Sequence, residues 1–339
     1  MVAGVEIVTN VEHEGATERL GALFTQVGEV TRLPVADVVA RLRQPVRIEV
    51  QGRPGVGRAT VAEALSARGV EVVTGEAPEA LVVVVAETLK AEDRRLLASA
   101  AVPTLIVLTK ADVIGSGPGG PLAVARRRAD ELVARTGLPV VVLVGLLATV
   151  TRLDDELVDA LRAMVVEPAD LASVDAFVTA PHPVERAVRE RLLDRLDRFG
   201  VAHALLALAK GAEPGTVVER LHELSNVAAV LDALEGVAAP VHYRRVRRAV
   251  IEMRCLAVEY DEPSVLDELA SDHVIGAVME AARDVVEAAG LVVDRTDTAA
   301  AHARRAVHWT RYARGPVDAL HRACATDIAR GSLRLADRA

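Results

Sequence analysis

Val46-Arg47-Ile48-Glu49-Val50-Gln51-Gly52-Arg53-Pro54-Gly55-Val56-Gly57-Arg58-Ala59-Thr60 decides how the chain is read. An alternating apolar run ends in a glycine-rich turn, and a helical pattern follows at once. The order is strand, loop, helix. Gly52 and Gly57 stand in the G-x-x-x-x-G spacing of a loop that cradles phosphate. Glycines let backbone N–H groups turn inward around an anion, and the following helix aims its positive end at the same point. Two letters depart from that pattern. Arg58 stands where Lys is expected, and Ala59 where Ser or Thr is expected.

Working outward, residues 45–150 alternate strand and helix. Strand Val46–Val50 feeds helix Arg58–Ala67, and Gly69–Val73 reads as a short strand. Thr74–Glu79 is a brief polar turn. Leu81-Val82-Val83-Val84-Val85 is apolar without interruption, as a strand covered on both faces should be. Helix Ala91–Ala100, strand Thr104–Leu108, helix Leu122–Thr136 and strand Val140–Val144 follow, with a flexible Gly/Pro loop at Ser116–Gly120. Repeated βα units on short connections predict an α/β fold with a doubly wound, mostly parallel sheet. Ligands in such sheets bind at the carboxyl ends of the strands. Gly52–Thr60 and Thr109–Asp112 both lie there.

Residues 1–44 read as an N-terminal helical segment packed on the domain that follows. Leu20, Leu23, Phe24 and Val27 recur at helical spacing after a cap at Asn10, and a short helix runs over Val35–Leu42. Beyond Leu153 no strand pattern appears. Residues 151–339 read as an all-α helical bundle, broken at Gly211/Pro214, Gly236/Pro240, Pro263, Gly290 and Gly315/Pro316. The expected domains are therefore 1–44, 45–150 and 151–339.

The chain has 339 residues, a formal net charge of −8 and a 51% apolar composition. That balance argues against a nucleic-acid partner. Met1–Glu6 lacks a basic start before an apolar block, so no signal peptide is expected. No run is long and uncharged enough to span a membrane. A cytoplasmic protein is the resulting expectation. Cys255 and Cys324, far apart in sequence, read as free thiols in helices. Lysine occurs only at Lys90, Lys110 and Lys210 among 40 basic residues. Against that drift toward arginine, Arg58 is unsurprising and the retention of Lys110 is informative. The nine histidines form no ligand spacing, and no metal ligand is assigned. Glu92 and Asp93 read as first-turn acids favoured by the helix dipole. Arginines cluster at Arg244, Arg245, Arg247, Arg248 and Arg254, and again at Arg304, Arg305, Arg311 and Arg314 beside Trp309 and Tyr312. They read as solvated helix faces, the sharper reading being a surface for an acidic partner or anionic lipid.

The order of three segments is recognisable. Ala80–Glu87, then Ala91-Glu92-Asp93-Arg94-Arg95-Leu96-Leu97, then Pro103–Leu108 ending in Thr109-Lys110-Ala111-Asp112, resembles the second half of a small GTPase-type domain, most of all its Era/dynamin-like branch. The likeness covers residues 45–150, and a helical region after that domain also resembles bacterial dynamin-like proteins. It implies a P-loop GTPase-like fold and a nucleotide site made of Gly52, Gly55, Val56, Gly57, Arg58, Ala59, Thr60, Thr109, Lys110 and Asp112. In it Asp112 would read the guanine edge, the Lys110 stem would lie on the base, and Thr60 would touch the α-phosphate. GTP or GDP is the implied ligand.

The departures weigh as much as the likeness. Arg58 keeps a charge, but its planar fork does not replace a compact ammonium between phosphates. Ala59 removes the hydroxyl that holds Mg²⁺ in such sites, so Mg²⁺ is not expected. The family places its switch segments before the strand Leu81–Val85, with a metal-touching Thr and a D-x-x-G motif. Here Thr60 to Glu92 contains no Asp, and Thr74–Glu79 is too short for both switches. Glu87 is the one acid at a strand end in that interval. Val144-Gly145-Leu146-Leu147-Ala148 stands where the family's base-contacting S-A-x motif falls, with Gly145 and Leu146 in place of its Ser and Ala. The expected function is a degenerate GTPase-like protein without catalytic residues of its own, acting as partner or scaffold and keeping residual guanine-nucleotide binding. A nucleotide-binding module without turnover, or a GTPase completed by a partner chain, are the alternatives. The resemblance implies a protein partner, a related GTPase in a hetero-oligomer among them. No feature identifies a membrane-binding tip.

Overall fold

The computed structural model describes residues 15–115 and 117–338. The cap expected at Asn10, and Ser116 at the start of the Gly/Pro loop, lie outside the described residues. In chain order the elements are α1 (Ala16–Thr31), α2 (Ala36–Arg43), β1 (Ile48–Gly52), α3 (Arg58–Ser66), β2 (Val72–Val73), β3 (Ala80–Ala86), α4 (Ala91–Ser99), β4 (Thr104–Thr109), α5 (Gly120–Thr136), β5 (Val140–Val142) and α6 (Gly145–Ala148). They continue with α7 (Asp155–Val166), α8 (Val174–Thr179), α9 (Arg186–Ala209), α10 (Pro214–Ser225), α11 (Val227–Glu259), α12 (Pro263–Leu269), α13 (Asp272–Ala288), α14 (Ala299–Ala313) and α15 (Ala319–Ala336).

The strands form one five-stranded sheet in the order β2-β1-β3-β4-β5, every pair parallel. This is the α/β architecture expected. The unbroken apolar runs lie in its central strands: all six residues of β4 and the first six of β3 are buried. Covered on both faces, these strands have no polar side for an alternating pattern to serve. The outermost strands are the shortest, two residues in β2 and three in β5.

Two compact units divide the chain at places other than the expected boundaries. One is Val46–Glu235; the other joins Met1–Pro45 to Gly236–Ala339. The expected division at residue 150 falls inside the first unit. Its core runs from Leu81, Val83 and Ile106 of the sheet through Leu147 to Leu157, Leu161, Phe177, Leu192, Val217 and Leu221 of α7–α10. The join is also polar. Val144 donates its N–H to the Ser225 carbonyl at 3.0 Å, and the Asn226 side-chain amide donates to the Val142 carbonyl at 2.9 Å. The end of α10 thus satisfies backbone groups at the end of β5, which an independent helical bundle would leave to water.

The N-terminal helices go elsewhere than expected. Leu20 and Phe24 of α1 and Val38 and Leu42 of α2 share a core with Tyr243 and Met253 of α11, Ala282 and Val286 of α13, Trp309 and Ile328. The break expected at Gly236/Pro240 does not occur, and α11 runs through it. A proline ring inside a helix crowds the carbonyl four residues earlier, and here that residue is Gly236, whose backbone carries no side chain to resist adjustment. Conversely, α9 is interrupted at Asp197, at φ 52° and ψ 176°, where no glycine or proline marks a break.

Candidate functional site

The loop between β1 and α3 is shaped by three glycines in different ways. Gly52 closes β1 where the β3 backbone comes close: a Cβ there would lie 2.6 Å from the Val84 carbonyl oxygen. Gly57, at φ 89°, is the residue from which α3 starts, and left-handed backbone at that position excludes most side chains. Gly55, at φ 80°, has open space where a Cβ would be. No side chain caps α3. The first N–H groups of a helix have no partner within it, so those of Arg58, Ala59 and Thr60 are left to groups outside α3.

The loop is tied down from below. Val56 is buried, and its carbonyl lies 2.6 Å from Thr109 Oγ1 at the end of β4; the same hydroxyl lies 3.1 Å from the Val85 carbonyl. One hydroxyl proton serves one carbonyl at a time, so Thr109 bridges three elements rather than facing solvent. Arg58 and Ala59 are exposed, and Arg58 makes no ion pair among the described residues. Thr60 is half-buried, with its methyl 3.4 Å from where a Cβ of Gly145 would stand. Gly145 therefore packs on the loop helix and starts the short α6.

Lys110 is exposed at φ 56°, a left-handed conformation. Asp112 is half-buried two residues on. Burial, and the nearby Asp197 carboxylate of α9, raise its pKa above the ordinary carboxylate value, with Lys110 opposing. The sequence-expected residues thus fall into two groups: Gly52–Thr60 with Thr109 around the loop, and Lys110 with Asp112 beyond the β4 end. Glu87 sits exposed at φ 62° after β3, outside both.

Two side chains that the motif spacing passes over dominate the loop's flank. Arg53 Nε lies 2.9 Å and 3.0 Å from the two carboxylate oxygens of Asp93. The Asp93 side chain is fully buried, and it also accepts the Lys90 N–H at 2.9 Å, capping α4. Asp93 is the first-turn acid expected of it, but it carries a second task. Gly52, Arg53, Arg58, Ala59, Asp93 and Val73 line a cleft of about 1090 Å³, including the solvent at its mouth. Among the described residues no group of three or more His, Cys, Asp or Glu could hold a metal ion. Set against known proteins, the chain matches no family model and no curated sequence.

Proposed function

We propose that this chain is a degenerate P-loop GTPase-like protein of dynamin-like ancestry that works as a partner or scaffold and does not turn over nucleotide. The observation that carries the reading is the Arg53–Asp93 pair. Arg53 of the loop is committed to the buried Asp93 carboxylate of the neighbouring helix, so that cation is held within the structure rather than presented to a phosphate. The chemistry of a GTP cycle is thin around it. Ala59 offers no hydroxyl to a metal, and the β1–β3 interval is short and carries no Asp. A switch must differ between two states through contacts to the terminal phosphate and metal. The parallel order β2-β1-β3-β4-β5, with the loop leaving a strand inside the sheet, agrees with the ancestry.

A second reading, a guanine-nucleotide module without turnover, is favoured by the uncapped α3 N-terminus beside the left-handed Gly57. Calorimetry with GDP, GTP and ATP, each with and without Mg²⁺, separates the two. No heat is expected. GDP binding on the order of micromolar that ignores Mg²⁺ and disappears in Asp112→Ala would install the second reading. Phosphate release abolished by Arg58→Ala would overturn both and leave an active GTPase.

A further inference from the structure

Within the unit formed by Gly236–Ala339 and the N-terminal helices, a groove of about 540 Å³, including the solvent at its mouth, lies between α11, α12, α13 and α15. Its floor is aliphatic and closely packed: Val250, Leu269, Val274 and Ile275 are buried and Val278 is half-buried, so the apolar surface at the bottom is narrow. Its rim carries three guanidinium groups, Arg247, Arg254 and Arg330, and one carboxylate, Asp327. That carboxylate is spoken for. Asp327 Oδ2 accepts the Tyr243 hydroxyl at 2.6 Å and lies 3.6 Å from Arg247 Nε. Arg254 and Arg330 are exposed and have no ion pair among the described residues. Ile251 forms an apolar lip at 53% exposure, and Val258, two turns further along α11, is 68% exposed. Along that helix Arg247, Ile251, Arg254 and Val258 are spaced four, three and four residues apart, one stripe on one face.

We infer that this groove is the docking site for an acidic amphipathic helix of a protein partner. The occupant must set apolar side chains against Ile251 and Val258 and over the narrow floor, and carboxylates against Arg254 and Arg330. A helix with both on adjoining faces does so at the spacing α11 presents. Charge complementarity chooses the sign, and the concave shape argues against a bilayer, which offers a flat surface. An aliphatic floor without exposed aromatic rings argues against single-stranded nucleic acid, which needs stacking platforms. The inference gives a location to the partner that the proposed function requires, and rests on that reading for the need of one. The groove contains no residue of the phosphate loop, so the nucleotide titrations and the binding experiment below fail independently.

The test uses the full chain and a fluorescein-labelled synthetic helix with leucines on one face flanked by glutamates, followed by anisotropy. Its twin carries lysines for the glutamates. The acidic helix is expected to bind and the lysine twin not. Arg254→Glu with Arg330→Glu should weaken the acidic helix by about tenfold or more and admit the twin. Both arginines are exposed and have no ion pair among the described residues, so the reversal is expected to leave folding intact, as circular dichroism would verify; Ile251→Ser tests the apolar half with native charge. Binding of the acidic helix indifferent to both variants overturns the inference. So does capture by phosphatidylglycerol vesicles that the acidic helix cannot displace, which assigns the surface to lipid. A synthetic peptide of residues 1–14, which holds Glu6, Glu12 and Glu14 and no Lys or Arg, serves as competitor; full displacement by it reassigns the groove to the chain's own N-terminus and overturns the partner reading.

Discussion

Thr109 Oγ1 lies 2.6 Å from the Val56 carbonyl, so the last residue of β4 holds the floor of the β1–α3 loop. Thr109→Val keeps the volume and deletes the hydroxyl. The Val56 carbonyl then loses its donor, and leaving a buried polar group unpaired costs about 1–3 kcal/mol. Urea denaturation should register a loss in that range, and hydrogen exchange at Val56–Thr60 should accelerate. Thr109→Ser should recover most of the loss, since the donor returns.

The Arg53–Asp93 pair is open to a double-mutant cycle. Asp93 is fully buried while Arg53 is one-fifth exposed, so Arg53 can turn to water when its partner is gone. Asp93→Ala should cost more than Arg53→Ala, because it also removes the cap on the Lys90 N–H. The coupling between them should fall at about 1–3 kcal/mol. Additive single-site losses would mean that the contact contributes no net stability.

Asp112 gives a pH dependence whose sign follows from its environment. Its pKa is raised in the folded chain by burial and by Asp197. The folded state therefore binds the proton more tightly than the unfolded one, and stability falls as pH rises through the interval between the unfolded and folded values. Asp112→Asn should unfold at higher urea than the parent at neutral pH. The gap should close on acidification to roughly pH 4, where the unfolded carboxyl also protonates. A gap that widens on acidification would refute the assignment.

Arg58→Lys combined with Ala59→Ser restores the loop letters without restoring the rest of the site. No phosphate release above background is expected with GTP and Mg²⁺, because the interval from Thr60 to Glu92 still contains no Asp. Turnover in that variant would overturn the deletion argument.

The two thiols should separate cleanly. Cys255 is exposed, while Cys324 is buried and its pKa is pushed up to about 12, chiefly by burial. A thiol reagent should modify Cys255 in the folded chain and reach Cys324 only in denaturant, since the thiolate is the reactive form.

The sheet was legible because its signals are local. Continuous apolar runs at Leu81–Val85 and Thr104–Leu108 have one good explanation, and glycines at Gly52 and Gly57 mark a turn by their spacing. The unit boundaries were not, because they depend on which helix faces pair across long stretches of chain. Nothing near Leu157 or Phe177 announces that its partner is the sheet, nor near Phe24 that its partner is Tyr243. The Gly236/Pro240 signal misled for a physical reason: breaker residues four apart ease each other's crowding. In the candidate site the motif residues were found by spacing, whereas Arg53–Asp93 spans 40 positions of sequence and each half has an ordinary local explanation.

The sheet ends in a two-residue strand on one side and a three-residue strand on the other. Each free rim is too short to template an added strand, which guards against edge-to-edge aggregation. It also makes lengthening of the sheet a poor route by which another protein could join this molecule. Recognition through side chains on helices and loops, where single charge changes redirect the choice of companion, is the route such short edges favour.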